Sequence, residues 1–252
     1  MEEKQVLPSR LIGNLYFVGT YKASTHIIKN EEGLILIDPG YSKTLSKVLE
    51  NMHALGFSEK DIKYILVSHA HFDHMEATEE LVRLSGAKTF IGKDDLPLLR
   101  GEMFHYPIKP FEPDFLLNDG DVVTLGNTSV RCVATPGHTD GTMSFFFDVK
   151  EGGNTYRAGM FGGAGCNTLR REFLEKNNLS FDCRQKFVDS INKLMKEKVD
   201  VFVGNHVWNN RTDEKIERLE TSEQNPFIDP SEWEAFLKER MKTVTRVIES
   251  NE

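Results

Sequence analysis

Three histidines and an aspartate fall within six positions of one another in VSHAHFDHMEA, residues 67–77, directly after the apolar run IKYILVS (62–68). That cluster limits the possible folds more than any other feature of the chain. Alternate residues of extended chain share a face, so His69 and His71 can point the same way beyond a strand end. Asp73 and His74 stand where a helix would begin. Neutral imidazole with carboxylate suits a first-row metal, zinc above all where cysteine is missing. A lone buried histidine is more often a hydrogen-bonded core residue than a ligand; four such groups at this spacing reverse that expectation.

Four side chains do not complete the surroundings of two metals, so further histidines are expected at other strand ends. The chain has eight histidines. His138 lies in VATPGHTDGTMS, after a strand and inside a Pro-Gly turn, and His206 ends the apolar run of VFVGNHVWN. His26 in mid-strand and His53 in a helix read as packing or surface residues, and His105 lies in an irregular loop. The three cysteines, Cys132, Cys166 and Cys183, form no CxxC pair, which excludes a disulfide framework and a cysteine zinc finger. Cys132 alternates onto a strand face and reads as core.

Strand-like runs at 15–19, 24–30 and 33–38 precede a helix from Ser42 to Leu55, capped by Ser42, then a strand at 62–68, a helix near 75–85 and a strand at 87–92. Two hairpins follow, turning at Gly126-Asn127 and at KEGG, then a helix over 181–198, a strand over 199–205 and a terminal helix from Pro230. Strands followed by a helix, twice over, predict two similar halves packed sheet on sheet with helices outside, in one domain spanning 1–252. The stretches 95–118 and 161–178 fit neither pattern and read as lids. A net charge of −8 without a basic cluster argues against nucleic acid and leaves a small molecule as the expected partner. No apolar run approaches the roughly 20 residues of a membrane span. The opening MEEKQVLPSR lacks the apolar core of an export signal, so a cytoplasmic location is expected unless a signal has been removed. Self-association is not legible.

H-x-H-x-D-H, the later TPGHT with its following GT, and a final strand-end histidine together resemble the metallo-β-lactamase fold superfamily. LILIDPG resembles the early strand-and-turn motif of that family, and the order of motifs agrees over most of the chain. The resemblance implies an α/β fold, a four-layer αβ/βα sandwich with a dinuclear metal site at the edge of the two sheets. It implies that His69, His71 and His138 hold one metal, and Asp73, His74 and His206 the other. Glyoxalase II-like thioesterases, lactonases and flavodiiron proteins carry a bridging acid in a GD-like motif, where YRAGMFGGAG here has Gly159 and Met160. Without that acid the ligand set resembles the third (B3-like) subclass of metallo-β-lactamases, a likeness strengthened by GNH and NPFIDPSEW.

The activity so implied is a β-lactamase-like hydrolase. Two zinc ions, with iron or manganese as substitutes, would share a hydroxide that attacks a lactam, amide, ester or lactone carbonyl, while Asp73 orients it and moves its proton. The alternatives are a glyoxalase II-like thioesterase or lactonase lacking the bridging acid, and a di-iron redox protein. Asp38, closing LILID, either fixes the tautomer of a metal-bound histidine or caps the Pro-Gly turn. Gly162, Gly163 and Gly165 either present amides to a substrate or allow close backbone approach. Phe104, Tyr106, Phe161 and Gly163 are the expected substrate pocket, although aromatics such as Phe104, Tyr106 and Phe111 equally suit anchoring their own loop.

Overall fold

The computed structural model describes residues 4–102 and 110–251, so Phe104, His105 and Tyr106 lie outside the described residues. Among the described residues twelve strands form two sheets. The first contains β1 (Ser9–Ile12), β2 (Leu15–Phe17), β3 (His26–Asn30), β4 (Gly33–Ile37), β5 (Ile62–Val67), β6 (Lys88–Gly92) and β7 (Phe115–Leu117), in that spatial order. Its first four strands pair antiparallel through tight turns; β4 to β7 pair parallel. Parallel neighbours need crossovers. These are α1 (Leu45–Ala54), α2 (Phe72–Met75), α3 (Thr78–Ser85) and α4 (Leu96–Leu99).

The second sheet is an antiparallel meander of β8 (Val122–Leu125), β9 (Thr128–Ala134), β10 (Met143–Glu151) and β11 (Asn154–Met160), with β12 (Val201–Phe202) added parallel to β11. Between β11 and β12 run α5 (Arg171–Lys176) and α6 (Asp182–Leu194), and after β12 come α7 (Val207–Asn210), α8 (Thr212–Arg218) and α9 (Pro230–Glu249).

The period of two in β10 shows why two sheets stack with helices outside. Phe145, Phe147 and Val149 enter the layer between the sheets, while Phe146 faces the opposite way onto α6 and α9. There its ring meets Trp233 edge-on, with centroids 5.9 Å apart. β4 behaves alike: Ile35 and Ile37 face the other sheet, and Leu34 and Leu36 join Val48 and Met52 of α1. Both faces of each central strand are therefore buried, and each large side chain so placed contributes roughly 1.5–3 kcal/mol. The result is the expected αβ/βα sandwich.

Several local expectations differ from the structure. Ser42 does not cap α1; it lies in a single 3-10 turn, and its hydroxyl donates to the Glu76 carbonyl 2.8 Å away. The helix expected over 181–198 ends at Leu194, and the strand expected over 199–205 shrinks to Val201–Phe202 because its pairing with β11 spans only Ala158 and Gly159. The lid-like stretches contain α4, β7 and α5. The terminal helix starts as its sequence demands, with Pro230 in the first turn and the Asp229 carboxylate accepting from the Ser231 amide at 3.0 Å.

At the end of β11 the backbone of Gly162 passes so close to β10 that an added Cβ would lie 1.9 Å from the Met143 carbonyl oxygen. Overpacking of this kind costs about 1–3 kcal/mol. Gly162→Ala is therefore expected to lower the melting temperature by roughly 5 °C, read by thermal unfolding with circular dichroism, given about 2–4 °C per kcal/mol for a chain of this size. An unchanged melting temperature would contradict the packing described.

Candidate metal centre

The C-terminal ends of β5, β9 and β12 converge on one edge of the sandwich, and each delivers imidazoles. Beyond β5 the chain bends at Ser68 and Ala70 and returns to an extended backbone at His71 (ψ 145°), which caps α2, so Asp73 and His74 lie on the first helical turn. Beyond β9 the turn at Gly137, with φ of +133°, swings His138 inward; a Cβ there would lie 2.5 Å from Phe187. Beyond β12, His206 precedes α7. The ligand-bearing atoms of His69, His71 and His138 lie within 4.8 Å of one another, and so do those of Asp73, His74 and His206.

Four of the five rings are held by an outer nitrogen. His74 Nδ1 donates to Asp38 Oδ2 at 2.8 Å, His138 Nδ1 to the Gly165 carbonyl at 2.8 Å, and His206 Nδ1 to the Lys22 carbonyl at 2.8 Å. The Ser68 hydroxyl donates to Asp38 Oδ2 at 2.7 Å, which leaves its oxygen to accept from His69 Nδ1 at 3.0 Å. Asp38 also accepts from the Ser68 amide at 2.7 Å, so one buried carboxylate orients two histidines. Of the two readings of Asp38, the partner of a ligand histidine is the one its hydrogen bonds support.

With their Nδ1 atoms protonated, His69, His74, His138 and His206 turn an Nε2 lone pair inward. His69 Nε2 and His74 Nε2 are buried and have no hydrogen-bond partner. His71 Nδ1 and His138 Nε2 face each other at 3.0 Å. Inward lone pairs without donors, each backed by an outer acceptor, are what a cation requires. The residues fit a metal.

Charge distribution agrees. Burial, reinforced by the other imidazoles, holds His69 and His71 well below the usual histidine range and takes His138 down to about 3 and His206 to about 4. Burial opposes protonation of His74 too, but the Asp73 and Asp38 carboxylates outweigh it and raise that ring. Burial likewise works against an ionised Asp73, yet His74, His206 and His71 keep its carboxyl below the ordinary value.

The sequence matches the family model of the metallo-β-lactamase superfamily over residues 18–151, a little more than half of the chain. The chain belongs to the metallo-β-lactamase superfamily. Among solved structures it is similar to native FEZ-1 metallo-β-lactamase from Legionella gormanii, at 27% identity and a TM-score of 0.91, covering 100% of this chain and 98% of that one. It is similar also to BJP-1, a subclass B3 metallo-β-lactamase of Bradyrhizobium japonicum, at 28% identity and a TM-score of 0.90, over 99% and 96% of the two chains. A curated relative, the probable polyketide biosynthesis zinc-dependent hydrolase PksB of Bacillus subtilis (strain 168), is 26% identical over 45% of this chain and 44% of its own. The chain spans about half the length of the curated relatives it matches first.

Neither Gly159 nor Met160, at the end of β11, offers a carboxylate. Met160 is buried between the sheets, and a Cβ on Gly159 would meet Val199 at 2.7 Å. Gly163 packs behind the site, since its Cβ would lie 2.9 Å from His138. Of the two readings of the glycines, close backbone approach is the one this geometry supports. Phe161 is a correction: its ring packs at 31° to that of Phe187 in the core and lines neither cavity near the candidate ligands. Phe111 is buried against the first sheet and anchors its loop.

The site opens into a groove of 530 Å³ walled by Tyr21, Tyr41, Phe72, Trp208 and Arg240. The exposed indole of Trp208 stacks on His206, with centroids 4.4 Å apart and planes at 7°. Arg240 lies over Phe236, and among the described residues its buried Nε has no acceptor. Asp73 is the one carboxylate in the groove lining.

Sequence reasoning missed Ser68, Trp208, Arg240 and Asp95. Buried Asp95 accepts from the amides of Ala70 and Gly141, each at 2.7 Å, and from the Thr139 hydroxyl at 2.9 Å, tying the β5 loop to the β9 loop. Burial pushes its carboxyl up to about 6. Ser68 adjoins the histidine cluster and was findable as the polar residue that follows its strand; Asp95 lies far along the chain from what it touches, and Trp208 and Arg240 matter through the groove they face.

Two substitutions separate orientation from clamping. Asp38→Ala removes the partner of His74 and of Ser68, and metal affinity is expected to fall by roughly 10–100-fold, measured by competition with a chromogenic chelator. Asp95→Ala strands two buried amides, and unfolding free energy is expected to drop by about 2–4 kcal/mol in urea titrations of metal-free protein. Unaltered metal affinity in the first, or unaltered stability in the second, would contradict these roles.

Proposed function

We propose that this chain is a metal-dependent hydrolase of a small anionic carbonyl compound, with lactams first among the candidates and esters, thioesters or lactones behind them. The observation that carries the reading is the pair of candidate ligand triads at one sheet edge, with His69 Nε2 and His74 Nε2 buried there and, among the described residues, without a hydrogen-bond partner. Zinc ions are the proposed occupants, one held by His69, His71 and His138, the other by Asp73, His74 and His206. Such ions, when bound, polarise a carbonyl oxygen and lower the pKa of water towards about 7.

The remaining work belongs to the chain. Hydrolysis adds a water oxygen to the carbonyl carbon, breaks the bond to the leaving nitrogen, oxygen or sulfur, and delivers a proton to that atom. Asp73, ionised and only 20% exposed in its side chain, accepts the proton of the attacking water and passes it on. The aromatic groove orients the substrate and excludes water around the reacting bond. The Arg240 guanidinium, lacking a carboxylate of its own, receives the anionic group of the substrate. Likeness to BJP-1 and FEZ-1 over nearly the whole chain supports the lactam among the possible substrates.

Metal analysis of the purified protein, with turnover of one chromogenic cephalosporin and one thioester, tests the reading. Two equivalents of zinc and cephalosporin hydrolysis are expected, and thioester turnover alone would favour the thioesterase alternative. His138→Ala should lose metal and activity on the order of a hundredfold or more; retention of both would sink the assignment. Two irons without hydrolysis would do so as well. Arg240→Met should raise KM for an anionic substrate by roughly tenfold with little change in kcat, the pattern of a contact equally strong in ground and transition states.

A further inference from the structure

Next to the groove lies a second cavity to which the hydrolytic reading assigns no role. It has a volume of 280 Å³, and four residues, His71, His138, Thr168 and Phe173, line both spaces. The metal ligands are thus the shared wall. Leu98 of α4 and Leu174 of α5, both buried, form the second cavity together with half-buried Leu179 and Cys183.

Its polar groups are mostly engaged elsewhere. Both oxygens of Asp95 accept from Ala70, Thr139 and Gly141, and the Thr168 hydroxyl donates to the His138 carbonyl at 3.0 Å. Lys186 pairs with Asp140 at 2.6 Å, both of them partly exposed. A lining that is apolar or already hydrogen-bonded gives a guest dispersion contacts and few polar anchors, which selects hydrocarbon over anything charged. A cavity of about 150 Å³ accommodates benzene. The present one therefore has room for an acyl chain of about eight carbons or an arylacetyl group.

We propose that this chamber binds the apolar acyl group of the substrate, so that the carbonyl sits at the histidine wall with its acyl side in the chamber and its leaving-group side in the groove. The proposal rests on the hydrolase reading and reorders its substrates, placing esters, thioesters and open-chain amides of medium-length or arylacetyl acids ahead of lactams, whose carbonyl is closed into a ring on both sides. Leu179 then acts as a specificity-determining residue, because it borders the chamber without belonging to the fully buried core.

A series of acyl thioesters from acetyl to dodecanoyl on one leaving group tests this. kcat/KM is expected to rise by up to roughly fourfold per methylene, to level near octanoyl and to fall beyond it. Leu179→Trp, checked for folding by circular dichroism, should cut the octanoyl-to-acetyl ratio of kcat/KM at least tenfold. A second readout needs neither turnover nor a variant. Cys183 borders the chamber half-buried while Cys132 and Cys166 are buried, so octanoate should slow maleimide labelling of Cys183 and acetate should not. Burial raises the Cys183 thiol, so labelling is done at alkaline pH. Protection by octanoate with no hydrolysis of any substrate would uphold the chamber and sink the hydrolase reading. Hydrolysis indifferent to chain length, without protection, would overturn the chamber and leave that reading standing. A length-dependent profile that a folded Leu179→Trp leaves unchanged would place the acyl group elsewhere and also overturn the proposal.

Discussion

The structure depends on lone pairs that find no partner inside the protein. His69 Nε2 and His74 Nε2 are buried and, among the described residues, left without a donor. Five histidine rings and one carboxylate share this small volume, and burial, reinforced by the neighbouring imidazoles, keeps most of the rings neutral. An unsatisfied buried polar atom costs about 1–3 kcal/mol, so the cluster is unfavourable on its own account. A cation that binds the folded chain and not the unfolded one stabilises the fold by mass action, which couples metal binding to stability.

What keeps the cluster in place is a ring of outer acceptors. Asp38, the Ser68 hydroxyl and the carbonyls of Gly165 and Lys22 each fix a tautomer, and Asp95 ties the β5 and β9 loops together from behind. Asp38 adopts a left-handed conformation, with φ of +55°, in doing so. The rigid edge beneath these loops comes from two sheets whose central strands are buried on both faces, and glycines at 137, 162 and 163 let backbone and rings approach more closely than any side chain would allow. The same edge divides the space outside into an aromatic, positively charged groove and an apolar chamber, with His71 and His138 belonging to both.

Membership of the metallo-β-lactamase superfamily accounts for the scaffold of this chain, and its own loops shape the space around the sheet edge. The packing at the end of β11 leaves no room for an acidic side chain there. Gly159 lies against Val199 and Phe146, and Met160 fills the inter-sheet layer. Among the described residues Asp73 is the single carboxylate that lines the groove.

Much of this was legible in the chain itself. H-x-H-x-D-H beyond an apolar strand, a Pro-Gly-His turn and a strand-end histidine named all six ligand candidates, because ligand spacing and strand periodicity are local properties. Alternating apolar runs likewise announced the layers, as the FFF of β10 shows by sending neighbouring rings to opposite faces. Local pattern overran where pairing decided: residues 199–205 are apolar enough for a strand, yet only Val201 and Phe202 find a partner in β11. It misplaced Phe161, whose position beside the glycines looked like a pocket wall and which the core instead absorbs against Phe187. Asp95, Trp208 and Arg240 carried no recognisable motif, since their roles come from contacts with residues distant in sequence or from the cavity they face. The sequence by itself thus determined the chemistry of the site, through residue types at fixed local spacing. Only the tertiary structure decided which acid clamps the loops, which cation lines the groove and where an apolar group could lodge, because those are distances between parts of the chain that only folding brings together.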